Sequence, residues 1–281
     1  MDIGIGLPST IPGVTRDQHL EWARRAEAAG FSTLGVIDRV AYDNLEPLVA
    51  LMAAGAVTER IRLSTSIAIV PYRNTAMFAK EAASVDVLSG GRLTLGLAPG
   101  GREDDYTMTG ADFSTRGRRL DAQLDELKRL WNGDDVGPKP VQQGGPPLIL
   151  GGTVDAAFRR AAQFGEGWIA GGSTPDAVRS GAEATRQAWQ AAGRAGEPRI
   201  MALGYYSLGP DAQANAESYL KHYYAFLGDE LAGMIAGSAA TDAPTIQQYL
   251  SAFEEAGVDE FILFPCSPDP EQVDLLAKAA F

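Results

Sequence analysis

The chain holds one cysteine and two histidines in 281 residues, and those scarcities remove several chemistries at once. A single thiol, Cys266, cannot close a disulfide within the chain, and its place just past an apolar run reads as a buried small side chain rather than a nucleophile. His19 and His222 both fall inside segments of helical period, so no group of strand-end imidazoles is available to hold zinc, and no metal is expected. Lys80, Lys128, Lys221 and Lys278 also sit on helical segments and Lys139 in a connector, which leaves no lysine placed as a Schiff-base nucleophile. Positive charge is scarce too. With 24 Lys and Arg against 36 Asp and Glu, the net charge of -12 repels a phosphate backbone. The cations are scattered rather than gathered in a stripe, so no nucleic-acid partner is expected. No charge-free apolar run approaches a membrane span, and "MDIGIGLP" opens as a strand without a basic or long apolar leader. No membrane association and a cytoplasmic location are therefore expected. A nicotinamide-binding GxGxxG that follows a strand and opens a helix is also missing.

What the chain has in quantity is apolar residues, 45% of the total, arranged as eight runs of strand length from "IGIGL" near the start to "EFILFP" near the end. Between them lie segments of helical period, for example 75–88, 116–130 and 175–192. Strands apolar on both faces, each followed by a crossover helix, indicate a parallel sheet. Eight such units over residues 1–281 predict a single-domain (β/α)8 TIM barrel with insertion segments over its C-terminal mouth, a doubly wound sheet being the alternative. Two segments exceed what a crossover needs. Residues 132–146 are rich in Gly, Pro and Gln, and residues 227–242 carry apolar Leu231, Met234 and Ile235; both are candidate lids, the second over a pocket or a partner, and a homodimer is compatible with it.

In such a barrel the site is built at strand ends. Those ends offer Thr65 and Ser66, then Gly100 and Gly101 within "LSGGRLTLGLAPGGREDDY", then Gly151, Gly152 and Thr153, then Gly171, Gly172 and Ser173. Each of the last two glycine pairs is followed by a hydroxyl and a helix, which gathers free amides and a helix dipole at one spot, an anion site suited to a phosphorylated cofactor. Ordinary βα turns have the same composition. For glycoside hydrolysis, strand-end acids reduce to Asp38 and the 103–105 cluster.

The succession "RRAEAAGFSTLGVIDR", "TERIRLSTSI", "AKEAASVDVLSGGRLTLGLAPGGREDDY", "RGRRLDAQLDELKRLWNG" and "GPPLILGGTVDAAFRRAAQFGEGWI" resembles the luciferase-like monooxygenase superfamily of flavin- and deazaflavin-dependent oxidoreductases. The resemblance covers nearly the whole chain. It implies a TIM barrel with insertions that binds reduced FMN or the reduced deazaflavin coenzyme F-420 in its mouth. It also implies that Gly151 to Thr153 and Gly171 to Ser173 hold the cofactor phosphate, and that Thr65 and Ser66 lie under the ring. The loop from Pro99 to Asp105 would pass along ring and side chain, and a non-proline cis peptide would lie between Ser66 and Ile67. Gly90, in "LSGGR", reads instead as a left-handed helix cap at the far end of the barrel.

One position departs from the family pattern. Many relatives read Asp-His after the second strand, whereas this chain reads "VIDRVAYDN", with Arg39 there. Arginine steadies an anion but does not cycle a proton near neutral pH. A guanidinium reaching into the mouth and a rim salt bridge with Asp38 or Asp43 are both open; any proton shuttle would fall to Asp38, Tyr42, Asp104 or Tyr106. The expected activity is oxygen insertion or hydride transfer on a small organic substrate, with a separate flavin reductase as partner if the cofactor is FMN. The alternatives are a flavin-binding relative without redox turnover and a non-redox cyclase or rearrangement enzyme.

Overall fold

A computed structural model describes residues 1–281. Eight parallel strands close in sequence order: β1 (Asp2–Gly6), β2 (Thr33–Val36), β3 (Arg62–Ile69), β4 (Leu93–Ala98), β5 (Leu148–Gly151), β6 (Gly167–Ala170), β7 (Arg199–Tyr206) and β8 (Glu260–Pro265). Closure is made where β8 pairs with β1, Phe261 opposite Ile3. The strands β2, β5, β6 and β8 are buried at every position, which is why their sequences are mostly apolar, with the polar Thr33 and Glu260 only at the first position of β2 and β8. The helices are α1 (Arg16–Ala29), α2 (Pro47–Gly55), α3 (Thr75–Ser89), α4 (Glu103–Thr109), α5 (Arg116–Asn132), α6 (Asp155–Phe164), α7 (Pro175–Ala191), α8 (Ala212–Tyr223), α9 (Asp229–Gly237), α10 (Ala243–Glu255) and α11 (Glu271–Ala280). The main core lies between barrel and helices, with Trp22, Phe78 and Trp168 among its largest side chains.

Local chemistry sets the helix ends. Thr15 and Gln18 form a reciprocal capping box that starts α1. Gly90 ends α3 at φ 69°, the left-handed cap expected from "LSGGR". The N-terminal end of the barrel is closed by ionic contacts: the Glu260 carboxylate accepts from Ser32, Thr33, Arg62 and Arg199.

Segment 132–146, expected over the C-terminal mouth, lies instead at this opposite end. It runs from the C-terminus of α5 to the start of β5, and Gln142 donates to the Leu93 carbonyl at the first residue of β4 and to Asp86. A connection from helix to strand in a barrel returns to the N-terminal face, so its length adds nothing to the mouth. Segment 227–242 sits in the strand-to-helix half of its unit, between α8 and α10, and forms α9.

The strand β3 is irregular at the place that matters for the mouth. Its register against β4 shifts between Thr65 and Ala68, and the Ser66–Ile67 peptide is cis, as the resemblance implies. Gly96 of β4 makes room for the irregularity: a Cβ there would stand 2.1 Å from the Thr65 carbonyl oxygen.

Candidate functional site

The C-terminal strand ends surround a cleft of about 380 Å³. Its floor is Ser66 and Ile67, its sides are Gly100, Gly101 and Arg102 on one hand and Gly171 and Gly172 on the other, and Asp38 and Arg39 stand at the end of β2. Aromatic and apolar side chains of β7, α8 and the turn after α8, namely Leu203, Tyr205, Tyr223, Tyr224, Phe226 and Leu227, complete it.

The structure therefore brings Asp38, Arg39, Ser66, Gly100, Gly101, Gly171 and Gly172 together, and places Ser173 in an adjoining cavity that shares Gly172. Other expected site residues are engaged elsewhere. Thr65 spends its hydroxyl on the Gly96 carbonyl at 2.7 Å. Gly151 packs under Ala98, Ile67 and Ile169, and Gly152, at φ 133°, offers its carbonyl to the Trp168 indole N–H at 2.8 Å. Thr153 is exposed at the start of α6 and is not among the residues lining the cleft. Tyr106 does not reach the mouth: its ring packs between Tyr72 and Phe113, and its hydroxyl donates to the Pro99 carbonyl. Burial pushes that phenol up to about 12, so it stays protonated.

Arg39 lines the cleft, and its ion pair is not the rim pair expected. It pairs with neither Asp38 nor Asp43. Nε donates to Asp105 Oδ2 at 2.7 Å and one Nη to Asp104 Oδ2 at 2.8 Å, both acids lying on α4. Asp105 also accepts from the backbone N–H groups of Val40 and Ala41, so the turn after β2 is clamped to α4. The remaining nitrogen, Nη1, is buried and has no partner. Asp38 accepts from Arg73 through both oxygens at 2.9 Å and from the Ile69 N–H at 2.8 Å. Burial pushes its carboxyl up while Arg73 pulls it down, and with every contact a donor it works as a fixed brace between β2 and β3.

Arg102 belongs to the loop expected to line the mouth, whereas His222 escaped the sequence. Arg102 lies over the rings of Phe226 and Tyr223, 3.7 and 4.6 Å from their centroids, and donates to the Tyr223 carbonyl at 2.7 Å. His222, near the end of α8, meets the Tyr42 hydroxyl through Nδ1 at 2.8 Å. Tyr42 in turn packs edge-on against Tyr223, so this couple borders the cleft. A helical position concealed His222, because nothing in a helix period tells which end of α8 reaches the mouth.

These residues fit a flat cofactor. The Ser66 hydroxyl is buried without a partner at the cleft floor, an orphaned polar group that a ligand's acceptor or donor satisfies. Around Gly101 and Gly171 an added Cβ would meet nothing within 4 Å, so main chain there is open to a ligand plane. Cys266 is buried, and burial pushes its thiol up, which leaves it uncharged and unreactive at neutral pH. No helix is long and apolar enough to cross a membrane.

Comparison with known proteins agrees with the fold and extends it. An uncharacterized protein of Mycobacterium tuberculosis is 33% identical over an alignment of 193 positions that covers 56% of this chain and 66% of that relative's length. A monooxygenase from Streptomyces bottropensis superposes with a TM-score of 0.83 at 20% identity, covering 99% of this chain and 98% of its own. A coenzyme F-420-dependent secondary alcohol dehydrogenase, solved with a cofactor–acetone adduct, superposes at 0.81 and 20% identity over 100% of this chain and 99% of its own. The family model for luciferase-like monooxygenases matches residues 1–274, and the chain belongs to that family.

Proposed function

We propose that the chain is an oxidoreductase that binds reduced FMN or the deazaflavin coenzyme F-420 in the mouth cleft and brings a small organic substrate to it. The observation that carries this reading is the glycine-edged slot over the unpartnered Ser66 hydroxyl. Bound there, the reduced cofactor supplies hydride transfer or oxygen insertion. The chain's own residues hold and orient. Ser66, with its unpartnered hydroxyl, would hydrogen-bond the ring, and Gly100, Gly101, Gly171 and Gly172 would admit it against main chain. The start of α6 lacks a side-chain cap at Val154, so its free N–H groups, beside Gly152 and Thr153, receive the phosphate, with Asp155 exposed to water in the same turn. The matching position before α7 is different, since Thr174 already caps Ala177.

Arg39 and Asp38 are braces in this scheme. Proton exchange at the rim falls to the Tyr42–His222 couple, a phenol and an imidazole held in hydrogen-bond contact at 2.8 Å beside the cleft. With FMN, a separate reductase delivers the reduced form, because the chain carries no nicotinamide fingerprint.

The test is a fluorescence titration of the purified chain with FMN and F-420, each oxidised and reduced. Saturable binding of one of them is expected, weakened at least tenfold in Gly171→Trp, whose ring would enter the open side of the slot. Absence of binding by both cofactors overturns the proposal.

A further inference from the structure

The mouth cleft adjoins a second cavity of about 560 Å³ between the ends of β6 and β7 and the helices α9 and α10. The two spaces share Gly172, Leu203, Tyr205, Tyr224 and Leu227. Their chemistry differs. Asp38, Arg39 and Arg102 line the mouth, whereas none of the 15 residues around the side cavity is charged at neutral pH. Its walls are mostly apolar, with Met234 and Ile235 from α9 facing Phe253 and Phe261 from α10 and β8. A charged group placed there would find no counter-ion among the lining side chains.

The border between the two spaces is a pair of phenols. Tyr205 and Tyr224 meet hydroxyl to hydroxyl at 2.7 Å. Two hydroxyls hold two protons, and one hydrogen bond between them uses one, so the phenol that accepts keeps an O–H for another acceptor. Neither hydroxyl has a further protein partner. Burial raises both phenols, which keeps them protonated donors.

We infer that the side cavity takes the body of the substrate, and that the substrate is a neutral, largely apolar molecule with an acceptor oxygen. The Tyr205–Tyr224 pair receives that oxygen and so presents it to the mouth cleft. This assignment rests on the mouth cleft being the cofactor's place.

Isothermal titration of the full chain, without cofactor, with 2-alkanones from 2-hexanone to 2-decanone tests it, beside alkanoates of equal length. Ketone Kd is expected to fall about three- to fourfold per added methylene and to lie at least tenfold below that of the matching alkanoate. Ile235→Asp should weaken ketones at least tenfold, while Leu231→Asp, exposed on the same helix and outside the cavity wall, leaves Kd unchanged. The double variant Tyr205→Phe with Tyr224→Phe should weaken ketones about two- to tenfold; thermal melts show that each variant is folded. Ketone binding without chain-length dependence, tighter binding of alkanoates, or indifference to Ile235→Asp overturns the inference. Failure of the ketones with normal cofactor titration removes this assignment alone, and the reverse outcome removes the cofactor reading and leaves the cavity.

Discussion

At the scale of the residue, Arg39 shows how a functional expectation turns structural. Its side chain is 2% exposed and that of Asp105 0%. Removing one member of such a buried pair leaves the other charge uncompensated, so Arg39→Ala should destabilise the fold by about 3 to 5 kcal/mol in urea unfolding. A loss below about 1 kcal/mol would mean the pair behaves as an exposed one. Sequence marked Arg39 as unusual and Asp104 as a candidate, yet nothing in it joined the two, because the acids lie more than 60 residues away and reach Arg39 only once α4 forms. His19 offers a second residue-scale test. It is buried, with Nε2 on the Ala50 carbonyl at 3.0 Å and Nδ1 unpartnered, and burial lowers its pKa from the ordinary 6.5. A base lowered in the folded state favours the neutral form there. The stability it brings is complete above 6.5 and is lost as pH falls from 6.5 through the folded value. His19→Gln should therefore flatten the loss of stability between pH 7 and about pH 5 in guanidinium titrations; an unchanged slope would contradict the assignment.

At the scale of the element, eight apolar runs made the strands legible, and β8 falls on the residues quoted for it, because a strand buried on both faces keeps a nearly continuous apolar run. Two short helices at the mouth, α4 and α9, were not legible. The helix α4 has 7 residues and α9 has 9, too few for a 3.6-residue period to stand out. For segment 132–146, composition spoke of a connector but not of which end of the barrel it serves; its place between a helix and the next strand decides that. The irregular middle of β3 depends on Gly96, whose missing Cβ admits the Thr65 carbonyl. Gly96→Ala should cost about 1 to 3 kcal/mol by overpacking and weaken cofactor binding at least tenfold, as Ser66 and Ile67 shift at the cleft floor. Wild-type cofactor affinity in a folded Gly96→Ala variant would show that the irregularity does not position the site.

At the scale of the molecule, the barrel sorts its chemistry by end. The N-terminal face is locked by the Glu260 cluster, and the C-terminal face holds the cleft with unpartnered groups at Ser66 and Arg39 Nη1. Sequence located Gly100, Gly101, Gly171 and Gly172 because they follow the apolar runs at strand ends, but not the aromatic wall, since Tyr223 and Tyr224 read as ordinary members of a helix. The measurement that bears most directly on the account is a crystal structure of the chain grown with the cofactor it binds in titration. The expected result is ring density over Ser66 and Ile67, flanked by Gly100, Gly101 and Gly171, with the phosphate at the start of α6. Density for the ring anywhere outside the C-terminal mouth would contradict it.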